Sequence, residues 1–334
     1  MKRRTFLMAA TLTAGLIASG ATLAEELQTL RFGIISTEST QNLRSVWDPF
    51  LADMEKKLGM PVKAYFAPDY AGIIEGMRFD KVDVAWYGNK SAMEAVDRAG
   101  AEIFAQTVDV NGNPGYWSVL ITQKDNDRLN SVDDVLNNAA DLSFGNGDPN
   151  STSGYLVPGY YVFAVNGVEA KKAFRRVVNA NHETNALAVA NGQVDVATNN
   201  TENLARMELN FPEKYKNVKV IWKSPLIPSD PIAWRKNLSD GDKRRIRDFF
   251  MHYGVEGGDK ARELKVLADL QWAPFRASSD DQLLPIRQLA LFKDRVKVEN
   301  DERLSESDKA EKLKSIDAEL ARLQQRLAAL ESGQ

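Results

Sequence analysis

The sequence contains no cysteine, and only two of its 334 residues are histidines, His182 and His252. The absence of cysteine excludes disulfide bonds, thiolate metal sites, cysteine nucleophiles and a lipid-modified N-terminal cysteine. Two histidines are too few for a multi-histidine metal site. We therefore expect no metal and no cofactor, and we expect His252, inside a helical pattern at 240–253, to be structural.

The chain also lacks an excess of positive charge. Lysine and arginine total 43 against 46 aspartates and glutamates, which gives a formal net charge of −3. A general nucleic-acid-binding protein needs a basic face that displaces counterions, so we expect no nucleic-acid partner. Apolar residues make up 43% and charged residues 27% of the chain, which is typical of a globular protein with one large or two ordinary domains.

A long apolar run occurs only at the N-terminus. Residues 1–24 combine a basic segment at 2–4, an apolar stretch at 6–17 and the small residues Thr22 and Ala24, which predicts an exported protein with a signal peptide cleaved after Ala24. The alternative is an uncleaved membrane anchor, but the run is short for a hydrocarbon core of ~30 Å. The paired arginines leave general secretion and twin-arginine export both open.

The body of the chain has the pattern of an α/β fold. Strand candidates at 30–35 and 62–67 flank a helical pattern at 40–58, and this order predicts parallel pairing. Pro49 inside the helical pattern indicates either a kink or a later helix start.

A short internal repeat indicates two similar lobes. The tetrapeptide Val-Asp-Val-Ala occurs at 82–85 and 194–197, each time after a helical pattern and before a polar turn and another helix. Four residues can recur by chance, but the matched flanks favour a true repeat. Ligands of open α/β sheets bind at the carboxyl ends of such strands, whereas Asp83 and Asp195, inside the repeats, are expected to cap turns.

These features predict a clamshell with its site in the cleft. Extended segments at 115–122 and at 218–222 running on to 231 are the candidate crossings between lobes. The predicted first lobe comprises 25–116 and 227–300, and the predicted second lobe 117–226.

The C-terminal segment 301–334 is predicted to be a separate amphipathic helix. It has apolar residues at alternating spacings of three and four. Such a helix either packs on its own lobe or pairs with a second copy in a homodimer. The residues of this seam are Leu313, Ile316, Leu320, Leu323, Leu327 and Leu330.

Three consecutive hydroxyl residues, Ser151, Thr152 and Ser153, follow a strand candidate and precede a stretch with helical potential at 155–164. Unpaired N–H groups and the positive helix end, together with the hydroxyls, suit a tetrahedral oxyanion. An ordinary helix cap is the alternative. No Gly-Lys-Ser or Gly-Lys-Thr follows, so the segment is not a P-loop.

His182 follows the strand candidate 176–178 and is predicted at the same sheet edge. It can donate to an oxyanion, and a bound anion would favour its charged form. A capping or surface histidine is the alternative interpretation.

A second set of residues suits an ammonium group. Glu202 follows the second repeat, Asp230 lies between Pro228 and Pro231, and Tyr70 and Tyr116 lie near a strand end and a crossing. Two carboxylates and two aromatic rings can surround a cation. Surface acids and core tyrosines would explain each residue individually.

Several motifs in order resemble the phosphonate-binding family of periplasmic proteins, which serves phosphonate ABC importers. The resemblance extends from about residue 28 to 298 and includes segments 32–38, 67–74, 84–88, 114–118, 145–154, 198–202 and 272–278. It implies a two-lobed, type II periplasmic-binding-protein clamshell with two crossing strands, and a membrane permease as partner. The C-terminal helix resembles the family's dimerising tail less specifically.

The resemblance also assigns roles to the candidate site residues. Ser151, Thr152, Ser153 and His182 match the family's phosphonate-holding residues. The positions around the amino group of 2-aminoethylphosphonate match Tyr70, Tyr116, Glu202 and Asp230. We therefore predict capture of a phosphonate by lobe closure.

Two alternatives stay open. One is a binding protein for phosphate, phosphite or another small oxyanion. The other is a secreted serine hydrolase using Ser151 or Ser153 with His182, although the sequence shows no third triad member and no GxSxG elbow.

Overall fold

The structure is a computed structural model that describes residues 26–332. The predicted signal peptide and its cleavage site at Ala24 lie outside these residues. The strands are β1 (Leu30–Ile34), β2 (Val62–Phe66), β3 (Val84–Trp86), β4 (Ala101–Asp109), β5 (Gly115–Tyr116), β6 (Ser118–Gln123), β7 (Ser143–Asn146), β8 (Arg176–Asn179), β9 (Val196–Asn200), β10 (Val218–Lys223), β11 (Ile227–Pro228), β12 (Pro231–Arg235) and β13 (Trp272–Ala277).

The helices cover the faces of the sheets and the C-terminus. They are α1 (Thr40–Leu58), α2 (Tyr70–Arg78), α3 (Asn89–Arg98), α4 (Val132–Asn137), α5 (Ala170–Ala173), α6 (His182–Ala190), α7 (Thr201–Asn210), α8 (Pro212–Tyr215), α9 (Asp240–His252), α10 (Lys260–Asp269), α11 (Leu284–Glu299) and α12 (Glu306–Glu331). Shorter helical turns occupy Ala139–Asp141, Thr152–Leu156, Gly159–Phe163, Ala164–Asn166 and Asp280–Leu283.

Two sheets form the two lobes of a type II periplasmic binding fold, as predicted. The first lobe is built on the strand order β13-β4-β12-β3-β1-β2, and the second on β10-β6-β9-β7-β8. In each sheet the strand of the repeat is parallel to a neighbour: β3 to β1 in the first lobe and β9 to β7 in the second. The carboxyl ends of these strands point to the cleft region, where the site lies.

The crossing between the lobes is shorter than we expected. Within residues 26–332, β5 and β11 form it as an antiparallel pair in which Tyr116 lies opposite Ile227. The expected crossing segments 118–122 and 218–222 instead lie in the second sheet, where β6 pairs with β10. An extended apolar segment has the same pattern in a crossing as in a sheet, so periodicity alone could not separate the two.

The first lobe has the larger core, and aromatic rings dominate it. Trp47 and Phe50 of α1 pack against Phe32 of β1, with ring centroids 5.3 and 6.4 Å away. Helix α1 begins at Thr40, where Ser39 caps it, and continues through Pro49 to Leu58, so the proline does not delay its start. This core fixes the sheet whose edge carries the first lobe's share of the site.

The aspartates of the repeat brace neighbouring strands instead of touching the cleft. Asp83 accepts hydrogen bonds from the backbone N–H of Arg31 (2.8 Å) and from the side chains of Arg31 and Arg235. Asp195 accepts from the backbone N–H and the hydroxyl of Ser143, at 2.7 and 2.6 Å. Each aspartate therefore holds the start of the parallel strand beside it, which corrects the expectation that it caps a turn.

The C-terminal helix packs on its own chain along much of its seam. Leu320 and Leu323 of α12 are buried, and Arg295 of α11 forms an ion pair with Asp317 at 2.9 Å. Leu330, near the end of α12, is 46% exposed. The intrachain alternative therefore accounts for the centre of the seam, and the homodimer stays a prediction. Between residues 26 and 332, no helix is both long enough and apolar enough to span a membrane.

Candidate functional site

The eight predicted site residues line one cavity between the two lobes. The empty space in and around it, including space open to solvent, is about 270 Å³. Five further residues complete the lining of this cavity: Thr37, Trp86, Gly88, Asn200 and Arg206. The structure therefore brings the eight predicted residues together, and the sequence analysis did not name the other five.

The three hydroxyl residues lie on an unusually wide helical turn. The N–H of Leu156 donates to the carbonyl of Ser151 at 3.1 Å, a bond that spans five residues instead of the four of an α-helix. Before the turn, Gly147 lies so close to Gly154 that an added Cβ would be 2.5 Å from its backbone. The predicted helical stretch 155–164 consists mainly of such wide turns, which often occur at functional sites.

His182 lies beside the hydroxyls at the first turn of α6. Its Nε2 is 3.4 Å from Ser151 Oγ, 3.4 Å from Ser153 Oγ and 3.3 Å from Asn200 Nδ2. Burial, together with the positive charge of Arg206, lowers the pKa of His182 to about 3. The imidazole is therefore neutral near neutral pH, and a bound anion would raise its pKa toward the charged form.

A second part of the cavity lining is acidic. Tyr116 donates its hydroxyl proton to Asp230 Oδ1 at 2.9 Å. Burial and the charge of Glu202 raise the pKa of Asp230, and burial likewise raises the pKa of Glu202. Two carboxylates that are costly to ionise together would each be stabilised by a cation between them. The buried ring of Tyr70 belongs to the same wall.

Arg206 is the main residue that the sequence analysis did not find. It donates to Glu38, which belongs to the loop after β1, and the two side chains are only 11% and 3% exposed. The pair therefore joins α7 of the second lobe to the first lobe at the edge of the cavity. Arg206 lies within an ordinary amphipathic helix and 168 positions from Glu38, so no local pattern indicated the contact.

Two further wall residues carry polar atoms without partners. Within the described part of the chain, Thr37 Oγ1 and Trp86 Nε1 are buried without a partner in full hydrogen-bond geometry, although the Trp86 N–H lies near enough to Asp230 to lower the pKa of that carboxyl. Buried polar groups are normally paired, so such atoms on a cavity wall suit a polar ligand or water. Both come from the first lobe, at the carboxyl ends of β1 and β3.

The two lobes contact each other around this cavity. Glu183 of α6 accepts from the N–H of Ser39 (3.3 Å) and from the amide of Asn42 (2.5 Å). We call the turn that carries Ser151, Thr152 and Ser153 the hydroxyl turn. There, the N–H of Lys90 donates to Thr152 Oγ1 at 2.8 Å. The structure is thus a closed form, in which each lobe supplies part of one binding cavity.

The family model for periplasmic substrate-binding proteins of phosphonate ABC transporters matches residues 32–283. The chain belongs to this family. It is 62% identical to the phosphonates-binding periplasmic protein of Escherichia coli K12 over 95% of this chain and 93% of that protein. A crystal structure of a binding protein component of a phosphonate ABC transporter from Pseudomonas aeruginosa is 64% identical, with a TM-score of 0.88, and covers 91% of this chain and 99% of that one.

A more distant relative has a different stated cargo. The phosphate-import protein of Mycolicibacterium smegmatis is 30% identical over 62% of this chain and 66% of its own length. Members of the matched family are substrate-binding components of importers, so the protein is a periplasmic transport component and not an enzyme. The alternative of a serine hydrolase is therefore wrong. Its catalytic geometry is also incomplete, because His182 Nδ1 has no partner among the described residues that could orient the ring.

Proposed function

We propose that the protein captures phosphonates that carry a primary amine, 2-aminoethylphosphonate being the best candidate, and delivers them to the permease of an ABC importer. The observation that carries the proposal is the polarity of a single cavity. The lining of that cavity combines three hydroxyls and a histidine with two carboxylates and two tyrosines. A short molecule with an anionic and a cationic end matches this arrangement.

The phosphonate group would bind at the hydroxyl turn. Ser151, Thr152 and Ser153 offer hydroxyl protons, and His182 adds a ring N–H once it is charged. Hydrogen bonds to an ionised acceptor are stronger than those between neutral groups. Because all four residues are almost fully buried, they would bind the anion with little competition from water.

The ammonium group would lie between Glu202 and Asp230, with Tyr70 and Tyr116 as walls. Its positive charge would offset the free-energy cost of ionising the two buried carboxylates. Aromatic faces add a further attraction for a cation. Inorganic phosphate lacks the cation, and its outer oxygens would face the same carboxylates, which disfavours it as a ligand. Phosphate and phosphite are therefore second candidates, and the phosphate-import relative supports only the first of them.

Closure would follow from contacts with both lobes. Tyr70 and Asp230 are held by the first lobe, whereas the hydroxyl turn, His182 and Glu202 belong to the second. A ligand that touches both lobes binds the closed form better than the open form and shifts the population toward it. The permease would then dock the closed receptor.

Calorimetry with matched ligands tests the proposal. We expect 2-aminoethylphosphonate to bind more tightly than ethylphosphonate, which lacks only the amine. Replacing Asp230 by asparagine keeps an acceptor for Tyr116 but removes the charge, and should weaken binding of the amine ligand about 100-fold. Ethylphosphonate should bind the variant at least as well as it binds the wild type.

Asp195→Asn is the matched control, because it removes a carboxylate of the second lobe that lies outside the cavity lining. Equal losses for both ligands in the Asp230 variant would refute the ammonium assignment. Tightest binding of phosphate by the wild type would favour the alternative cargo.

A further inference from the structure

The hydroxyl oxygens of the hydroxyl turn are already hydrogen-bonded to the protein, which a simple anion site would not require. Each of the three hydroxyl oxygens already accepts a hydrogen bond from an N–H of the protein. Ser151 Oγ accepts from the N–H of Gly154 at 2.9 Å, Thr152 Oγ1 from the N–H of Lys90 at 2.8 Å, and Ser153 Oγ from the amide Nδ2 of Asn200 at 3.0 Å.

These bonds limit where the hydroxyl protons can point. A serine or threonine hydroxyl has one proton to donate and two lone pairs that accept. The proton cannot point toward an N–H that is itself donating to the same oxygen. It turns instead toward any remaining acceptor, and an anion in the cavity supplies several.

Asn200 is the one side chain among these three donors, and its orientation is fixed independently. Its Oδ1 accepts the N–H of Asn203 at 2.7 Å, which caps α7. Because the oxygen is committed to the cap, the Nδ2 group must face Ser153 and His182. The residue is buried, with 5% of its surface exposed.

We propose that Asn200 is a positioning residue for the anion site: it directs the Ser153 proton toward the headgroup and makes the hydroxyl turn a set of donors that favours a fully deprotonated headgroup. A headgroup that keeps a proton needs an acceptor, and Asn200 Nδ2 engages the two nearest ones, Ser153 Oγ at 3.0 Å and the Nε2 of neutral His182 at 3.3 Å. This inference rests on the proposed function for the identity of the headgroup, but it applies to any tetrahedral oxyanion that binds there.

Two substitutions remove the Nδ2 donor of Asn200 but keep a side-chain oxygen that caps α7. Asn200→Ser keeps a capping oxygen and removes the Nδ2 donor, and we expect affinity to fall about tenfold. Asn200→Asp also keeps the cap but places an acceptor and a negative charge beside Ser153. We expect it to lose about 100-fold at neutral pH.

The pH profile distinguishes positioning from a purely structural effect. Wild-type affinity should fall as the solution is acidified, because the headgroup gains a proton. The Asn200→Asp variant should recover affinity over the same change, because a protonated aspartate can again donate to Ser153. Asn181→Asp is the matched control, since Asn181 caps the neighbouring helix α6 by the same geometry and lies outside the cavity lining.

Coupling to Ser153 gives a second and independent test. If Asn200 acts mainly through Ser153, Asn200→Ser should cost much less in a Ser153→Ala background than in the wild type. Thermal unfolding of each variant checks that the fold is kept. Additive losses, or Asn200→Asp binding within twofold of the wild type with an unchanged pH trend, would overturn the proposal.

The titrations use 2-aminoethylphosphonate, methylphosphonate and inorganic phosphate. A wild type that binds phosphate but neither phosphonate would defeat the proposed function, and the variant comparison would then be made with phosphate. A wild type that binds none of the three would defeat both proposals.

Discussion

The two copies of Val-Asp-Val-Ala occupy equivalent places in the two lobes but lead into different chemistry. After the first copy, β3 ends at Trp86 and the chain continues into α3 with an aromatic and glycine turn. After the second copy, β9 ends in Asn199 and Asn200 and continues into α7 with polar residues. The repeated part builds the scaffold, and the few residues after each strand determine what each lobe offers to a ligand.

The aspartates inside the repeat show the same division in energetic terms. Asp83 has no exposed side-chain surface and is surrounded by two arginines, whereas the side chain of Asp195 is 40% exposed and lies 3.6 Å from Arg175. Both hold a neighbouring strand, but the first lobe concentrates charge in its interior. Removing one partner of a buried charged cluster leaves the other charges unpaired, which lowers stability strongly. In a solvent-exposed cluster, water stabilises the remaining charges, so the loss is small.

The largest expected effect comes from neutralising these two aspartates separately. Asp83→Asn should lower the free energy of unfolding by about 3 kcal/mol, because it leaves two arginines without their shared partner. Asp195→Asn should lower the free energy of unfolding by about 1 kcal/mol, because the asparagine oxygen can still accept the hydrogen bonds from Ser143. Urea denaturation measures both. Equal losses would show that the two braces are energetically equivalent and that the comparison fails.

A second prediction concerns protons taken up or released in the two parts of the cavity lining. A bound anion raises the lowered pKa of His182, whereas the headgroup itself is expected to bind deprotonated, and both contributions are common to ligands that share the headgroup. A bound ammonium lowers the raised pKa values of Asp230 and Glu202, so these two residues release protons. Ethylphosphonate should therefore cause more net proton uptake than 2-aminoethylphosphonate near neutral pH.

Calorimetry in buffers of different ionisation enthalpy measures this difference. The control is His182→Gln, which should reduce the uptake for both ligands by the same amount. Identical proton counts for the two ligands in the wild type would contradict the proton release assigned to Asp230 and Glu202.

The smallest expected effect concerns α12, which contacts α11 and contributes nothing to the cavity lining. Truncation before Glu311 should leave phosphonate affinity within about twofold of the full chain. Light scattering of the full and truncated chains then measures their masses and shows whether α12 pairs two copies of the chain. A mass that falls to that of a single chain would support the predicted homodimer, and an unchanged single-chain mass would favour packing within the chain.

The sequence allowed prediction of the features that depend on local patterns and on where strands end. The helix predicted at 40–58 has those bounds, and all eight candidate residues line one cavity because they follow strands or crossings that meet at one edge. The missed residues depend on contacts between lobes. Arg206 acquires its partner only when Glu38 of the other lobe approaches, and Asn200 resembles any other helix cap. The crossing strands were overestimated because extended segments have no signature that distinguishes a crossing from a sheet.

A receptor for transport must release its cargo as well as retain it. The N–H of Lys90 comes from the first lobe, but it fixes a hydroxyl of the second. If the permease separates the lobes by a few ångströms, Thr152 loses this partner, and its proton is free to rotate away from the anion. Mechanical opening would therefore weaken the grip on the cargo directly, without any group of the permease having to enter the cavity.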